Sequence, residues 1–317
     1  MAPTPRVALV VNPVSRASAT AVEAVTHASR DAGLGNPWIL PTTVEQPGGA
    51  QARQAREAGV ERVVVAGGDG TVRLVAGVLG ERSPDDGDDA RVGPARPTLG
   101  VVPTGTANLF ARSALLPVAD VRRAARLAVT GAGRPTDLGH ARFEGPGGEA
   151  ADHPFLVLAG LGHDAATLAA VRPSAKAGLR WLAYLLPGLG RLGSPGHALR
   201  LALDGEPVDA GPLWSLLAVN AARLPAGMRV VPGASLDDGE LHTVLVSPRN
   251  LADWARIAAT GTGRVAPHDH PALRYRSGRT LVVESPEPVL AQVDGDVVPD
   301  IVRARVTVLA GALNVAR

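Results

Sequence analysis

The 317-residue chain is 45% hydrophobic and 20% charged, with a formal net charge of +2 and no cysteine. Its length exceeds the usual single domain, and its composition is that of an ordinary globular protein. The lack of cysteine excludes disulfides, cysteine–zinc sites and thiol catalysis, and an aromatic content of 3% argues against a base-stacking nucleic-acid platform.

Lys176 is the sole lysine among 32 basic residues, so positive charge rests on arginine, the better side chain for gripping phosphate in a bidentate fashion. The near-zero balance gives no strongly basic surface, and no nucleic-acid partner is expected. Met1–Arg6 leads directly into the apolar run Val7–Val11, too short for a secretory core, so a cytoplasmic protein is expected. No stretch reaches the roughly 18 apolar residues that span a bilayer, which restricts membrane contact to the periphery, at the inner face.

In chain order, hydrophobic period and punctuation predict strands at Arg6–Val11, Trp38–Leu40, Arg62–Ala66 and Thr98–Val102. Helices are predicted at Ala17–Ala32, Gly49–Ala58, Thr71–Leu79 and Val118–Val129. Alternating strand and helix implies a parallel sheet with ligands at the carboxyl ends of its strands. Three loops fall at such ends: Asn12–Ser15, Gly67–Gly70 and Pro103–Asn108. Glu81–Pro97, with Asp85-Asp86-Gly87-Asp88-Asp89, reads as a solvated insertion.

Beyond Gly131 the pattern changes. Strands at Phe155–Ala159, Leu199–Leu203, Leu213–Val219, Leu241–Val246, Thr280–Glu284 and Val289–Val293 have few helices between them. The exceptions are Lys176–Leu186 and Leu251–Thr260. The expected fold is therefore an α/β domain on a parallel sheet over 1–131, then a β-rich, mainly antiparallel, sandwich-like domain over 132–317. The last few residues can return to the first domain.

Gly67-Gly68-Asp69-Gly70-Thr71 is the strongest chemical signal. A strand, a glycine turn and a helix together aim backbone N–H groups at an anion. The glycines admit phosphate oxygens, Asp69 offers a carboxylate to Mg²⁺ or a hydroxyl, and Thr71 can cap the helix. His268-Asp269-His270 lacks a third spaced ligand and reads as a solvent loop. Leu182, Leu185, Leu186, Leu189 and Leu192 beside Tyr184 read as core before lipid groove.

The ordered set of motifs resembles the diacylglycerol kinase catalytic family, in its bacterial lipid-kinase branch, which also includes sphingoid-base kinases. Val11-Asn12-Pro13-Val14-Ser15 is similar to that family's opening loop, Gly67–Thr71 to its nucleotide loop, and Pro103–Arg112 to its Pro-x-Gly-Thr-x-Asn segment. Gly160-Leu161-Gly162-His163-Asp164-Ala165, the Lys176–Tyr184 helix, Leu236–Leu241 and Gln292-Val293-Asp294-Gly295-Asp296 follow in the family's order. The resemblance implies ATP contacts from Asn12, Pro13, Thr43, Gly67, Gly68, Asp69, Gly70, Thr71 and Thr106. Thr42 is an alternative to Thr43, and Asn108 either braces its loop or touches ligand. It also implies Mg²⁺ held by the Asp238 carboxylate with the carbonyls of Ser235 and Glu240.

For transfer to a lipid alcohol, the resemblance makes Asp296 the proton acceptor, with Asp69 at Mg²⁺–ATP or as a competing base and Asp294 in support. A cleft between the domains, a diacylglycerol-like substrate and peripheral membrane contact are implied, and a homodimer is left open. The chain departs from the pattern at Arg16, at Arg73-Leu74, and at Asp296, one methylene short of a glutamate. A nucleotide-binding relative without catalysis and a nicotinamide-dinucleotide kinase are the rivals.

Overall fold

The computed structural model describes residues 6–81, 96–165, 193–221, 231, 233–261 and 269–317. The predicted helix Lys176–Leu186 with its leucines, the acidic run 85–89 and His268 lie outside them. Two compact units divide the chain: one runs to Leu138 and takes back Ala310–Arg317, and the other is Gly139–Leu309.

In the first unit, β1 (Val7–Val11), β2 (Trp38–Pro41), β3 (Arg62–Gly67) and β4 (Thr98–Pro103) are parallel, in the order β4-β3-β1-β2. Asn314 and Val315 pair parallel with Thr98 and Leu99, adding a fifth member from the far end of the chain. The helices are α1 (Ser18–Asp31), α2 (Gly49–Glu57), α3 (Asp69–Gly80), the short α4 (Leu109–Ser113) and α5 (Val121–Thr130). Val63, Val64 and Val65 are all fully buried, so this sheet is covered on both faces. Val64 packs with Ala21 and Val25 of α1 and with Ala124, Ala125 and Ala128 of α5. Alternation sends Val63 and Val65 to the other face. Alanine on the helices lets backbones approach closely: a Cβ at Gly100 would stand 2.5 Å from the Ala128 carbonyl oxygen.

The helix predicted from Thr71 starts at Asp69, with Gly68 as its N-cap and no side-chain cap. Thr71 therefore does not cap α3. It is buried in the first turn, where its methyl would lie 3.3 Å from a Cβ at Gly67.

The second unit is antiparallel. β5 (Gly133–Glu144) and β6 (Ala150–Phe155) form a hairpin, in which the Phe155 ring occupies the space beside Gly139. β7 (Leu158–Gly162), β8 (Arg200–Leu203), β9 (Glu206–Val208), β10 (Ser215–Val219), β11 (Leu241–Val246), β12 (Leu273–Gly278), β13 (Thr280–Val293) and β14 (Asp296–Ala316) follow, with α6 (Leu251–Gly261) between β11 and β12. Neighbours run β12-β11-β10-β7-β13-β14, and the β8–β9 hairpin joins β13. Phe143, Phe155, Leu161, Leu216, Leu241, Leu245 and Leu281 fill the core.

Three predicted strands change. Phe155–Ala159 straddles a bend between β6 and β7, and Thr280–Glu284 and Val289–Val293 are one strand. The register shift between Glu284 and Val289 absorbs Pro286 and Pro288, which cannot donate to a ladder, and a second shift follows between Val289 and Ala291. β5, β9, β12 and the 21-residue β14 have no counterpart among the predicted strands.

Candidate functional site

The three glycine- and asparagine-bearing loops of the first unit meet. Val11 pairs with Ala66 and Gly67 with Pro103, so β1, β3 and β4 end side by side. Asn12 N–H donates to the Ala66 carbonyl at 3.1 Å, Thr104 N–H to the Gly67 carbonyl at 3.0 Å, and Ser15 Oγ to the Thr104 carbonyl at 3.1 Å. A Cβ at Gly105 would fall 2.5 Å from the Gly68 Cα, a backbone-to-backbone approach only glycine permits. Gly68 itself has φ −93°, so its glycine serves proximity and not a left-handed turn. Asn12, Pro13, Gly67, Gly68, Asp69, Gly70, Thr71 and Thr106 thus share one set of strand ends.

Thr42, Thr43 and Asn108 differ in their surroundings. Thr42 is buried, whereas Thr43 is exposed at the end of β2, its hydroxyl accepting the Gln46 N–H at 3.0 Å. Asn108 braces its loop: its Oδ1 accepts the Gly105 N–H at 3.0 Å and its Nδ2 donates to the Gly105 carbonyl at 2.9 Å. Its left-handed φ of 49° suits asparagine.

Asp69 opens α3 and reaches across to the start of α4, where its Oδ1 accepts the Phe110 N–H at 3.3 Å. Burial pushes this carboxyl above the ordinary carboxylate range, and the amides of Phe110, Leu109 and Asn108 pull it back. The result is a basic carboxylate at the carboxyl end of a parallel sheet. Arg73, one turn on, is buried, so it is not a surface residue.

In the second unit, Ser235, Asp238 and Glu240 do come together, but through backbone N–H groups. Ser235 N–H donates to Asp238 Oδ2 at 2.7 Å and Glu240 N–H to Oδ1 at 3.0 Å. His242 Nε2 also lies 2.9 Å from Oδ2. A cation needs oxygen lone pairs, and here the carboxylate faces donors. Among the described residues no cluster of three His, Asp or Glu forms a metal cage. The expected Mg²⁺ arrangement does not fit this turn.

The turn Asp294-Gly295-Asp296 separates its two acids. Asp294, at φ 48°, is buried, and its carboxylate accepts N–H bonds from Leu156, Val157 and Leu158 at 2.7, 2.9 and 2.9 Å. That carboxylate fixes the bend between β6 and β7. Asp296 is exposed. Sequence reasoning missed the buried polar partners of this region, Ser215 and Gln292. The signal for them is Gly160-x-Gly162 on a strand, which vacates one face for polar side chains. Asp269 and His270 serve their own loop, accepting the N–H groups of Tyr275 and Ala272.

Residues 6–141 match the model of the diacylglycerol kinase catalytic domain, and residues 157–317 that of the YegS C-terminal NAD kinase beta sandwich-like domain. A protein of Xanthomonas axonopodis pv. citri named "probable lipid kinase YegS-like" is 32% identical over 75% of this chain and 73% of its own length. The diacylglycerol kinase of Bacillus subtilis strain 168 is 28% identical over 77% of this chain and 74% of its own. A crystal structure from Bacillus anthracis str. Sterne, proposed to be a diacylglycerol kinase, superposes with a TM-score of 0.73 at 20% identity, covering 98% and 95% of the two chains.

Proposed function

The chain belongs to the diacylglycerol kinase catalytic-domain family of lipid kinases, and from that premise we propose that it transfers the γ-phosphate of Mg²⁺–ATP to the hydroxyl of diacylglycerol. One observation carries the ATP reading: Gly68 and Gly105 bring two backbones together beside Asp69, at the carboxyl ends of parallel strands. Asn12, Thr43, Thr71 and Thr106 supply neutral donors for phosphate oxygens there, and the glycines let those oxygens reach backbone N–H groups. Asp69 would hold the magnesium that arrives with the nucleotide, which would neutralise charge on the phosphates. Phosphoryl transfer needs little covalent help from protein, so positioning and charge stabilisation account for most of the rate.

Asp296 takes the proton from the lipid hydroxyl. It is the exposed acid of its turn, whereas Asp294 is committed to three backbone amides. Diacylglycerol resides in bilayers, and among the described residues no helix is long and apolar enough to cross one. The kinase therefore meets its substrate at the membrane surface.

The test is γ-labelled ATP with a panel of lipid alcohols in mixed micelles, scored by labelled lipid. Label in phosphatidic acid from dioleoylglycerol is expected. A sphingoid base labelled faster would change the substrate, and no label in any lipid despite ATP binding would leave an inactive relative.

A further inference from the structure

In the second unit β10, β7 and β13 lie side by side, with Ser215 opposite Gly162 and Gly160 opposite Gln292. Paired residues share a face, as do residues two apart, so these four line one face of the sheet. Two of them are glycine, and the vacated space goes to Asp164, just beyond β7. Its Oδ2 lies 2.1 Å from where a Cβ at Gly160 would stand, and Gln292 Nε2 lies 3.0 Å from the same point.

A continuous set of hydrogen bonds follows. Ser215 Oγ donates to Asp164 Oδ1 at 2.8 Å and accepts the Asp164 N–H at 2.8 Å. Gln292 Nε2 donates to Asp164 Oδ2 at 3.3 Å. Gln292 Oε1 accepts the N–H of Gly295 at 3.0 Å. Gly295 is the middle of the Asp294–Asp296 turn and sits at φ +97°. Ser215 and Gln292 are 1% and 3% exposed, on the face of these strands opposite to the one that carries Leu161, Leu216 and Val293 into the apolar core. A buried hydroxyl and amide in such a sheet cost stability relative to apolar residues, which calls for a role beyond packing.

Asp294 already anchors the start of the turn to residues 156–158. The Gln292 contact acts one residue later, at the point from which Asp296 departs. We infer that Ser215, Asp164 and Gln292 form a positioning relay that sets where the Asp296 carboxylate stands, with Asp164 acting through Gln292 and touching no substrate. This rests on the reading of Asp296 as proton acceptor. The glycine at 160 belongs to the device, because any side chain there would displace the Asp164 carboxylate.

A double-mutant cycle tests it, using γ-labelled ATP and dioleoylglycerol micelles (or the lipid that the wild type labels fastest). Gln292→Leu should lower kcat about tenfold or more with the KM for ATP little changed, alongside a melting temperature lowered by a few degrees because the Gly295 N–H loses its acceptor. In an Asp296→Ala background the same substitution should change kcat by less than about twofold, because nothing remains to be positioned. Asp164→Asn keeps an acceptor for Gln292 and a donor for Ser215, so it should retain most activity, whereas Asp164→Leu should behave like Gln292→Leu. If Gln292→Leu does not fold, Ser215→Ala runs the same cycle with a smaller expected loss. Equal losses from Gln292→Leu in both backgrounds would overturn the relay while leaving Asp296 as base. Full activity in Asp296→Ala, or a wild type that labels no lipid, would remove the base reading and the relay with it.

Discussion

The first unit builds its site from short loops that each follow a strand of one parallel sheet, and the second from single residues scattered along the chain. Gly67, Gly68 and Asp69 are consecutive, and the loops they meet each follow a strand of one parallel sheet. The Asp294–Asp296 turn instead depends on Leu156–Leu158, Asp164, Ser215 and Gln292, which antiparallel pairing brings together from across about 140 residues. A parallel sheet collects its ligand loops at one edge by topology alone, whereas an antiparallel one must do so through particular side chains. The two acids differ accordingly. Asp69 is held by the amides of a helix start, and Asp296 by its turn.

The largest expected effect tests the compact site. Asp69→Asn should reduce phosphoryl transfer by about 10³-fold, of order 4 kcal/mol in the barrier, with the fold intact. A variant with wild-type kcat would remove Asp69 from the mechanism. The same substitution reads out the raised carboxyl. The native state holds this proton more tightly than the unfolded chain does, so wild-type stability falls as pH rises through the shifted range. Asn carries no such penalty. Its melting temperature should exceed that of wild type at neutral pH, and the gap should close as the pH falls and the wild-type carboxyl takes up its proton. A gap independent of pH would mean that Asp69 titrates normally.

The dispersed site gives the next largest. Asp296→Ala should lower kcat about 10²-fold with ATP affinity unchanged, since it acts on the hydroxyl. Asp296→Glu restores the side-chain length common in the family and should keep activity or raise it. If alanine is as fast as wild type, the base role passes to Asp69. If glutamate and alanine are equally slow, the turn is built around aspartate.

How much of this was legible follows from the same contrast. The strands around Gly67–Thr71 could be read because Val63–Val65 form an uninterrupted β-branched run between turn residues. β14 was missed although Ile301, Ala304 and Val306 are buried and Arg303 and Arg305 exposed along it. Arginine on the outer face broke up the apolar run that marked the other strands. Asp294 and Asp296 look alike in sequence, and only the pairing of β13 with β7 shows that one is an anchor. The start of α3 was misplaced by two residues, because Thr71 resembles a cap until its methyl is seen packed at Gly67.

Asp294 should therefore matter to stability more than to rate. Asp294→Ala leaves the N–H groups of Leu156, Val157 and Leu158 without their acceptor, at a cost of about 3 kcal/mol, or roughly 10 °C in melting temperature. Asp294→Asn keeps one acceptor and tolerates the left-handed φ, so it should lose about half as much. Thermal melts check both. A stable alanine variant with severely reduced kcat would return Asp294 to the chemistry.

The smallest effect is expected at Asp238. Its carboxylate accepts two backbone N–H groups and lies against His242, so the turn is complete without a cation. Adding Mg²⁺ to nucleotide-free protein should therefore shift the melting temperature by less than about 1 °C, far below what a specifically bound ion at saturating concentration produces. Asp238→Ala should cost about 1 kcal/mol through the lost turn bonds, equally with and without Mg²⁺. Mg²⁺–ATP should still stabilise both proteins by the same amount, since that magnesium arrives with the nucleotide. A large Mg²⁺-dependent shift in the wild type that Asp238→Ala abolishes would establish a resident ion at this turn. In that case Ser235 and Glu240 would have to turn their carbonyl oxygens towards the ion, in place of the N–H groups that the Asp238 carboxylate now accepts.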